Sequence, residues 1–176
     1  MLDVFSYVGA WGIQALLAGA DSAMCIDSSE QALDYAHRNA ELNEVSERFA
    51  TVEGDAFAAL KELREARERF DVVVVDPPAF IKRRRDFKAG LRAYHQLNQL
   101  AIQLLNKDGI LVSASCSAHL GEKDLIQAVL SSARHLDRSA QLIEIGHQGP
   151  DHPIHPAIPE TRYLKSVTAR ILPASF

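Results

Sequence analysis

Cysteine is scarce in this sequence: only Cys25 and Cys116 occur in 176 residues, far apart and at no metal-ligand spacing. That excludes a disulfide framework and a thiolate zinc cluster, and makes a reducing cytoplasm the expected compartment. Long hydrophobic runs are missing as well. None approaches the roughly 20 apolar residues of a membrane helix, and no basic-then-apolar signal opens the chain. Positive charge is not in excess: the net charge of −4 argues against a general nucleic-acid coat. The seven histidines are scattered without a cysteine or carboxylate at ligand spacing, so no metal is expected. Also absent is the full G-x-G-x-x-G turn. Gly9 and Gly12 supply only G-x-x-G, which weakens a dinucleotide reading.

What the sequence does contain is a regular alternation of short apolar runs and helix-length stretches. Strands are expected at Leu2–Phe5, Ser22–Ile26, Phe49–Val52, Asp71–Val75, Ile110–Ala114, Gln141–Ile145 and Tyr163–Ile171. The second to fifth are aliphatic or β-branched bursts, the pattern of buried parallel strands. Helices are expected at Ser29–Asn43, Ala56–Arg69, Leu91–Asn106 and Lys123–Arg134, with Ser29 and Asp55 placed to cap. Such alternation predicts a Rossmann-like α/β fold: a mostly parallel seven-stranded sheet with helices on both faces. The proline-rich stretch after Gly149 suits neither a helix nor a central strand. The last strand follows it without a crossover helix and is therefore expected to pair antiparallel. No repeat or internal boundary appears, and the length fits one domain.

In such a sheet ligands collect beyond the carboxyl ends of the strands. The first strand ends in Phe5-Ser6-Tyr7-Val8-Gly9, a glycine-bearing turn before a helix that lets backbone N–H groups approach a ligand. Asp27 ends the second, placed either to accept from both hydroxyls of a ribose or to cap the next helix with Ser28 and Ser29. The third ends in Glu53-Gly54-Asp55-Ala56-Phe57, where Asp55 either receives an adenine amino group, caps the helix, or does both. The strongest local signal is Asp76-Pro77-Pro78-Ala79-Phe80 after the fourth strand. Two prolines stiffen the chain directly after a carboxylate, so one polar group and one aromatic ring are presented at a fixed place.

The series D-V-F-S-Y-x-G, an acid after strand two, E-G-D-A-F, D-P-P-A-F and S-x-S-C-S resembles the RlmI-type family of large-subunit rRNA methyltransferases over nearly the whole chain. The resemblance implies a class I methyltransferase domain that binds S-adenosylmethionine. Asp3, Phe5, Ser6 and Gly9 would surround the methionine part, Asp27 with Ser28 the ribose, and Asp55 with Ala56 the adenine; Asp76 would border the same site. Val8-Gly9-Ala10 departs from the Gly-Gly that the family often carries there. Family members also carry an N-terminal RNA-binding domain, so a first strand at residue 2 is expected to mark the catalytic part, residues 1–176, of a larger enzyme.

Cys116 ends the fifth strand. Attack of a thiolate on C6 of a pyrimidine makes C5 enamine-like and able to take a methyl group, a step nitrogen methylation does not need. Cys116 and Asp76 are therefore the candidate catalytic residues, with His119 or Lys82 as groups able to lower the thiol pKa. Cys25, in an apolar strand, reads as a buried small hydrophobe. Between Lys82 and Arg92 stand six basic residues against one acid, Asp86. Lys82, Arg83, Arg84 and Arg85, with Pro77 and Pro78, would position RNA at the mouth of the pocket, and Phe80, Phe87 and Tyr94 would offer stacking surfaces. The product reading is a 5-methylcytosine in large-subunit rRNA, with rRNA as partner, no membrane, and a homodimer left open. Competing readings are an RNA nitrogen methyltransferase, an NAD-binding oxidoreductase and a non-catalytic cofactor-binding fragment. The 150–160 loop is expected to close over the pocket.

Overall fold

The computed structural model describes residues 1–173. Seven strands form one sheet: β1 (Leu2–Val4), β2 (Ala23–Asp27), β3 (Phe49–Glu53), β4 (Phe70–Val75), β5 (Leu105–Ser115), β6 (Arg138–His147) and β7 (Lys165–Pro173). Their order is β3-β2-β1-β4-β5-β7-β6. The ladders from β3 to β5 are parallel, and β7 runs antiparallel to both β5 and β6. The order reverses between β1 and β4, which makes the ends of those two strands the switch point of the sheet.

Five helices cover it: α1 (Ala10–Leu17), α2 (Glu30–Leu42), α3 (Ala56–Glu65), α4 (Phe87–Gln103) and α5 (Glu122–His135). Helices α1 and α2 pack together as one layer, and α3, α4 and α5 pack in succession as another. The period-2 alternation of the strands divides the core accordingly. Ala23 and Cys25 of β2 join Ile13, Leu16, Ala36 and Phe49 in a smaller cluster, whereas Met24 and Ile26 belong to the larger one. Both sequence-placed caps are realised. Ser29 Oγ accepts from Ala32 N at 3.2 Å and Asp55 Oδ1 from Ala58 N at 2.9 Å.

The element bounds differ from the sequence expectation where the chain turns sharply. The third helix stops at Glu65 rather than running to Arg69, because Arg67 takes a left-handed φ of 62°. Strand β1 stops at Val4 because Phe5 has a φ of 65°. Helix α4 begins at Phe87, directly after a 3-10 turn at Arg84–Asp86, and ends at Gln103, which frees Leu105 to pair with Phe70 and lengthen β5. No helix among the described residues is long and apolar enough to cross a membrane.

Candidate active site

Asp3 sits at the floor of the switch point and is fully buried. Its Oδ2 accepts from the Gly12 N–H at 3.2 Å and lies 3.7 Å from the Cys25 thiol. Its Oδ1 has no partner, nor does the buried hydroxyl of Ser6. Unpartnered buried polar atoms are rare, and two within four residues, on β1 and in the turn after it, point to a ligand. Burial pushes the Asp3 carboxyl up to about 6, opposed by the Gly12 hydrogen bond and reinforced by the charges of Asp76 and Asp27. Gly9 takes a φ of 78° as the N-cap of α1, and a Cβ there would stand 3.1 Å from Ala36 and Phe49. Cys25 is buried as expected, and burial raises its pKa far above that of a free thiol.

Asp27 binds backbone with both oxygens: Oδ2 accepts from Tyr7 N at 2.8 Å and Oδ1 from Ser29 N at 3.0 Å. The residue thus ties the turn after β1 to the turn after β2. Ser28, between them, is exposed. Asp55 is exposed and keeps its second oxygen while capping α3. Ala56 is buried, so what it offers is the backbone N–H of a first helical turn. Asp3, Asp27 and Asp76 together make the ends of β1, β2 and β4 a region of negative potential, suited to a ligand bearing positive charge.

Burial also raises the pKa of Asp76, while the Trp11 indole N–H, 3.4 Å from Oδ2, opposes the rise. Pro77 is buried and Pro78 exposed. Phe80 is half-buried in an aromatic cluster, with ring centroids 5.0 Å from Tyr94, 6.2 Å from Phe57 and 6.3 Å from Phe5. Tyr94 is not available for stacking. It is 0% exposed, and its hydroxyl pairs with Ser115 Oγ at 2.7 Å and Ser117 Oγ at 3.1 Å. Ser117 Oγ also accepts from Ile81 N at 3.2 Å, so α4, the end of β5 and the segment after Phe80 share one hydroxyl network.

Cys116 rides on that network, half-buried, with Sγ 3.9 Å from the Pro77 carbonyl oxygen. Burial raises its pKa, the Asp76 charge adds to the rise, and Lys165 opposes it. Lys165 is therefore the cation that bears on the thiol; Lys82 and His119 are exposed and exert no resolved influence on it. The ammonium group of Lys165 donates to the carbonyls of Ser117 and Leu120, each at 2.7 Å. Neither Lys165 nor Trp11 was singled out in the sequence. Lys165 was legible in principle, because it occupies the same strand face as buried Val167, Ala169 and Ile171. The Trp11–Asp76 pairing joins residues 65 positions apart and left no local signal.

Trp11, Asp76, Lys165 and the segment His147–His152 line a cavity of about 280 Å³. The proline-rich loop thus borders the pocket. Gln148 fastens it, donating to the carbonyls of His152 and Thr161 and accepting from Leu164 N. Lys82, Arg83, Arg84 and Arg85 are all exposed, and Arg84 and Phe87 line a second hollow with His119. No group of three potential metal ligands occurs among the described residues.

Sheet order and strand-end carboxylates define the fold of class I methyltransferases. Among solved structures, a Streptococcus mutans protein assigned by proposal as an SAM-dependent methyltransferase superimposes with a TM-score of 0.83 at 19% identity, over 96% of this chain and 43% of its own. The SAM-dependent methyltransferase of Agrobacterium tumefaciens gives 0.67 at 18%, over 98% and 55%. The family described as Conserved hypothetical protein 95 matches residues 1–131, and the chain belongs to it. Curated relatives from Shigella dysenteriae and Escherichia coli, both called Ribosomal RNA large subunit methyltransferase I, are 38% identical over 98% of this chain. The chain spans 44% of their length.

Proposed function

We propose that this domain binds S-adenosylmethionine across the ends of β1 to β4 and methylates C5 of a cytosine in large-subunit rRNA through a covalent adduct with Cys116. The observation that carries the chemistry is the meeting of a half-buried thiol and a half-buried carboxyl, Cys116 and Asp76, on either side of Pro77. The relatives' shared name supports rRNA as the substrate.

The pair of unpartnered atoms, Asp3 Oδ1 and Ser6 Oγ, fits the charged methionine end of the cofactor. Phe5 and Gly9 shape the same turn, Asp27 with Ser28 takes the ribose, and Asp55 with the Ala56 N–H takes the adenine. Bound S-adenosylmethionine would supply the methyl group from its sulfonium, the S–CH3 bond breaking to leave neutral S-adenosylhomocysteine. The Cys116 thiolate adds to C6 of the cytosine, forming a C–S bond, while Asp76 donates a proton or hydrogen bond at N3 where the displaced electron pair collects. C5 then carries the electron density that accepts the methyl group. Removal of the C5 proton by a base restores the ring double bond and expels the thiolate. Pro77 and Pro78 hold Asp76 and Phe80 in place, and Lys82, Arg83, Arg84 and Arg85 contact phosphates at the entrance.

Nitrogen methylation is the second reading, favoured by the raised pKa of the thiol. The two separate in a methylation assay on unmodified rRNA mapped by mass spectrometry. Cys116→Ala is expected to lose at least about 10³-fold in transfer while binding S-adenosylhomocysteine as wild type does. RNA carrying 5-fluorocytosine should trap a covalent adduct on the wild type alone. Undiminished turnover by the variant sinks the thiol mechanism.

A further inference from the structure

Lys165 begins β7 opposite Ser115 in the antiparallel ladder, one residue before Cys116. A lysine only 8% exposed is unusual and demands partners. Two of its three N–H donors go to the carbonyls of Ser117 and Leu120, which bracket the turn that follows Cys116. The third has no protein partner among the described residues. Nothing anionic binds it: neither of its hydrogen bonds goes to a carboxylate, so its charge is uncompensated by any direct contact.

We propose that Lys165 is a positioning residue for Cys116: its ammonium group ties down the turn that follows the thiol and supplies a positive charge that favours the thiolate. The proposal rests on the reading of Cys116 as nucleophile. Three ionisable groups face Cys116 from the packed elements: Asp76 after β4, Tyr94 on α4 and Lys165 on β7. Asp76 opposes the thiolate and Tyr94 is a neutral phenol, its own pKa raised by burial. Lys165 is the one positive group among the three. Burial and the neighbouring carboxylate hold the thiol above its ordinary pKa, and without Lys165 the rise would be larger.

The test is alkylation of the thiol by iodoacetamide as a function of pH. It needs no methyl transfer, and Cys25 is fully buried, so the signal belongs to Cys116; a Cys116→Ala sample supplies the blank. Lys165→Arg keeps the charge and the donors, while Lys165→Gln keeps amide donors without the charge. The Gln variant should show its alkylation midpoint raised by about one unit, and a rate about tenfold slower at pH 8; the Arg variant should restore it. A purely structural role would leave both profiles on that of the wild type, and this result overturns the counter-charge. Should the Gln variant unfold, Lys165→Met keeps the aliphatic stem without the charge, and its alkylation midpoint should rise in the same way; a midpoint at or below that of the wild type also overturns the proposal. Failure of Cys116→Ala to affect methylation would instead remove the reading beneath it, with the alkylation profile unchanged.

Discussion

Asp3 is a buried carboxyl with one oxygen bonded to nothing, and this has a stability signature. The unfolded side chain titrates near pH 4, the folded one at about 6. Between those values the folded state holds more protons, so the carboxyl destabilises the fold progressively as pH rises from about 4 to about 6. Asp3→Asn keeps an acceptor for the Gly12 N–H and removes this cost, which is about 3 kcal/mol above pH 6. Thermal melts of the two proteins should coincide near pH 4 and diverge by pH 8, with the variant the more stable. The same substitution should weaken S-adenosylmethionine binding by tenfold or more (~1.4 kcal/mol), since an ammonium group loses its carboxylate. Wild-type affinity, followed by calorimetry, should rise as pH climbs through about 6. Flat affinity across that range would remove Asp3 from the methionine subsite. Sequence placed Asp3 at the strand end, but its orphaned oxygen depends on what does not reach it, which no motif records.

At the scale of elements, α1 is held against β2 with little space between. Gly12 donates its N–H to Asp3, and a Cβ on it would lie 2.7 Å from the Cys25 sulfur. Alanine is the better helix former by about 1 kcal/mol, yet overpacking of a core costs about 1–3 kcal/mol. Gly12→Ala should therefore be destabilising by about 1 kcal/mol in the native background. In a Cys25→Ala background the obstructing sulfur is gone, and the same change should be neutral or stabilising. Denaturant unfolding of the four proteins closes the cycle; equal costs in both backgrounds would show that the sulfur is not the obstacle. The strand–helix order was readable because the buried parallel strands are short bursts such as Val72–Val75 and two of the helices, α2 and α3, open on the polar caps Ser29 and Asp55. Element ends were less so. Phe5, Arg67 and Asp108 adopt positive φ without being glycine, and only tertiary packing imposes that.

The molecule as a whole is acidic, with a local basic run from Lys82 to Arg92 whose Arg84 lines the second hollow. Carboxylates line the switch point, whereas the exposed 3-10 turn carries the opposite charge. A polyanion should meet the chain at that turn. Neutralising Arg83, Arg84 and Arg85 to Gln should weaken RNA binding and reduce the slope of log affinity against log salt by about two to three. S-adenosylhomocysteine affinity should stay unchanged, and an unaltered salt slope would return the run to an ordinary solvated face. This asymmetry was legible as a charge run in the sequence. Its placement near Arg84, Phe87 and His119 was not, because it depends on how the segment after Phe80 leaves the sheet.

One consequence of the Asp76 pairing is optical. The chain has a single tryptophan, and it is the residue whose indole N–H lies against that carboxylate at the edge of the cavity. Its emission therefore comes from one place only, with a titrating quencher in contact and 45% of its surface open to water. Occupancy of the pocket and protonation of Asp76 are both readable as changes in intrinsic fluorescence, without a label and with no background from another indole.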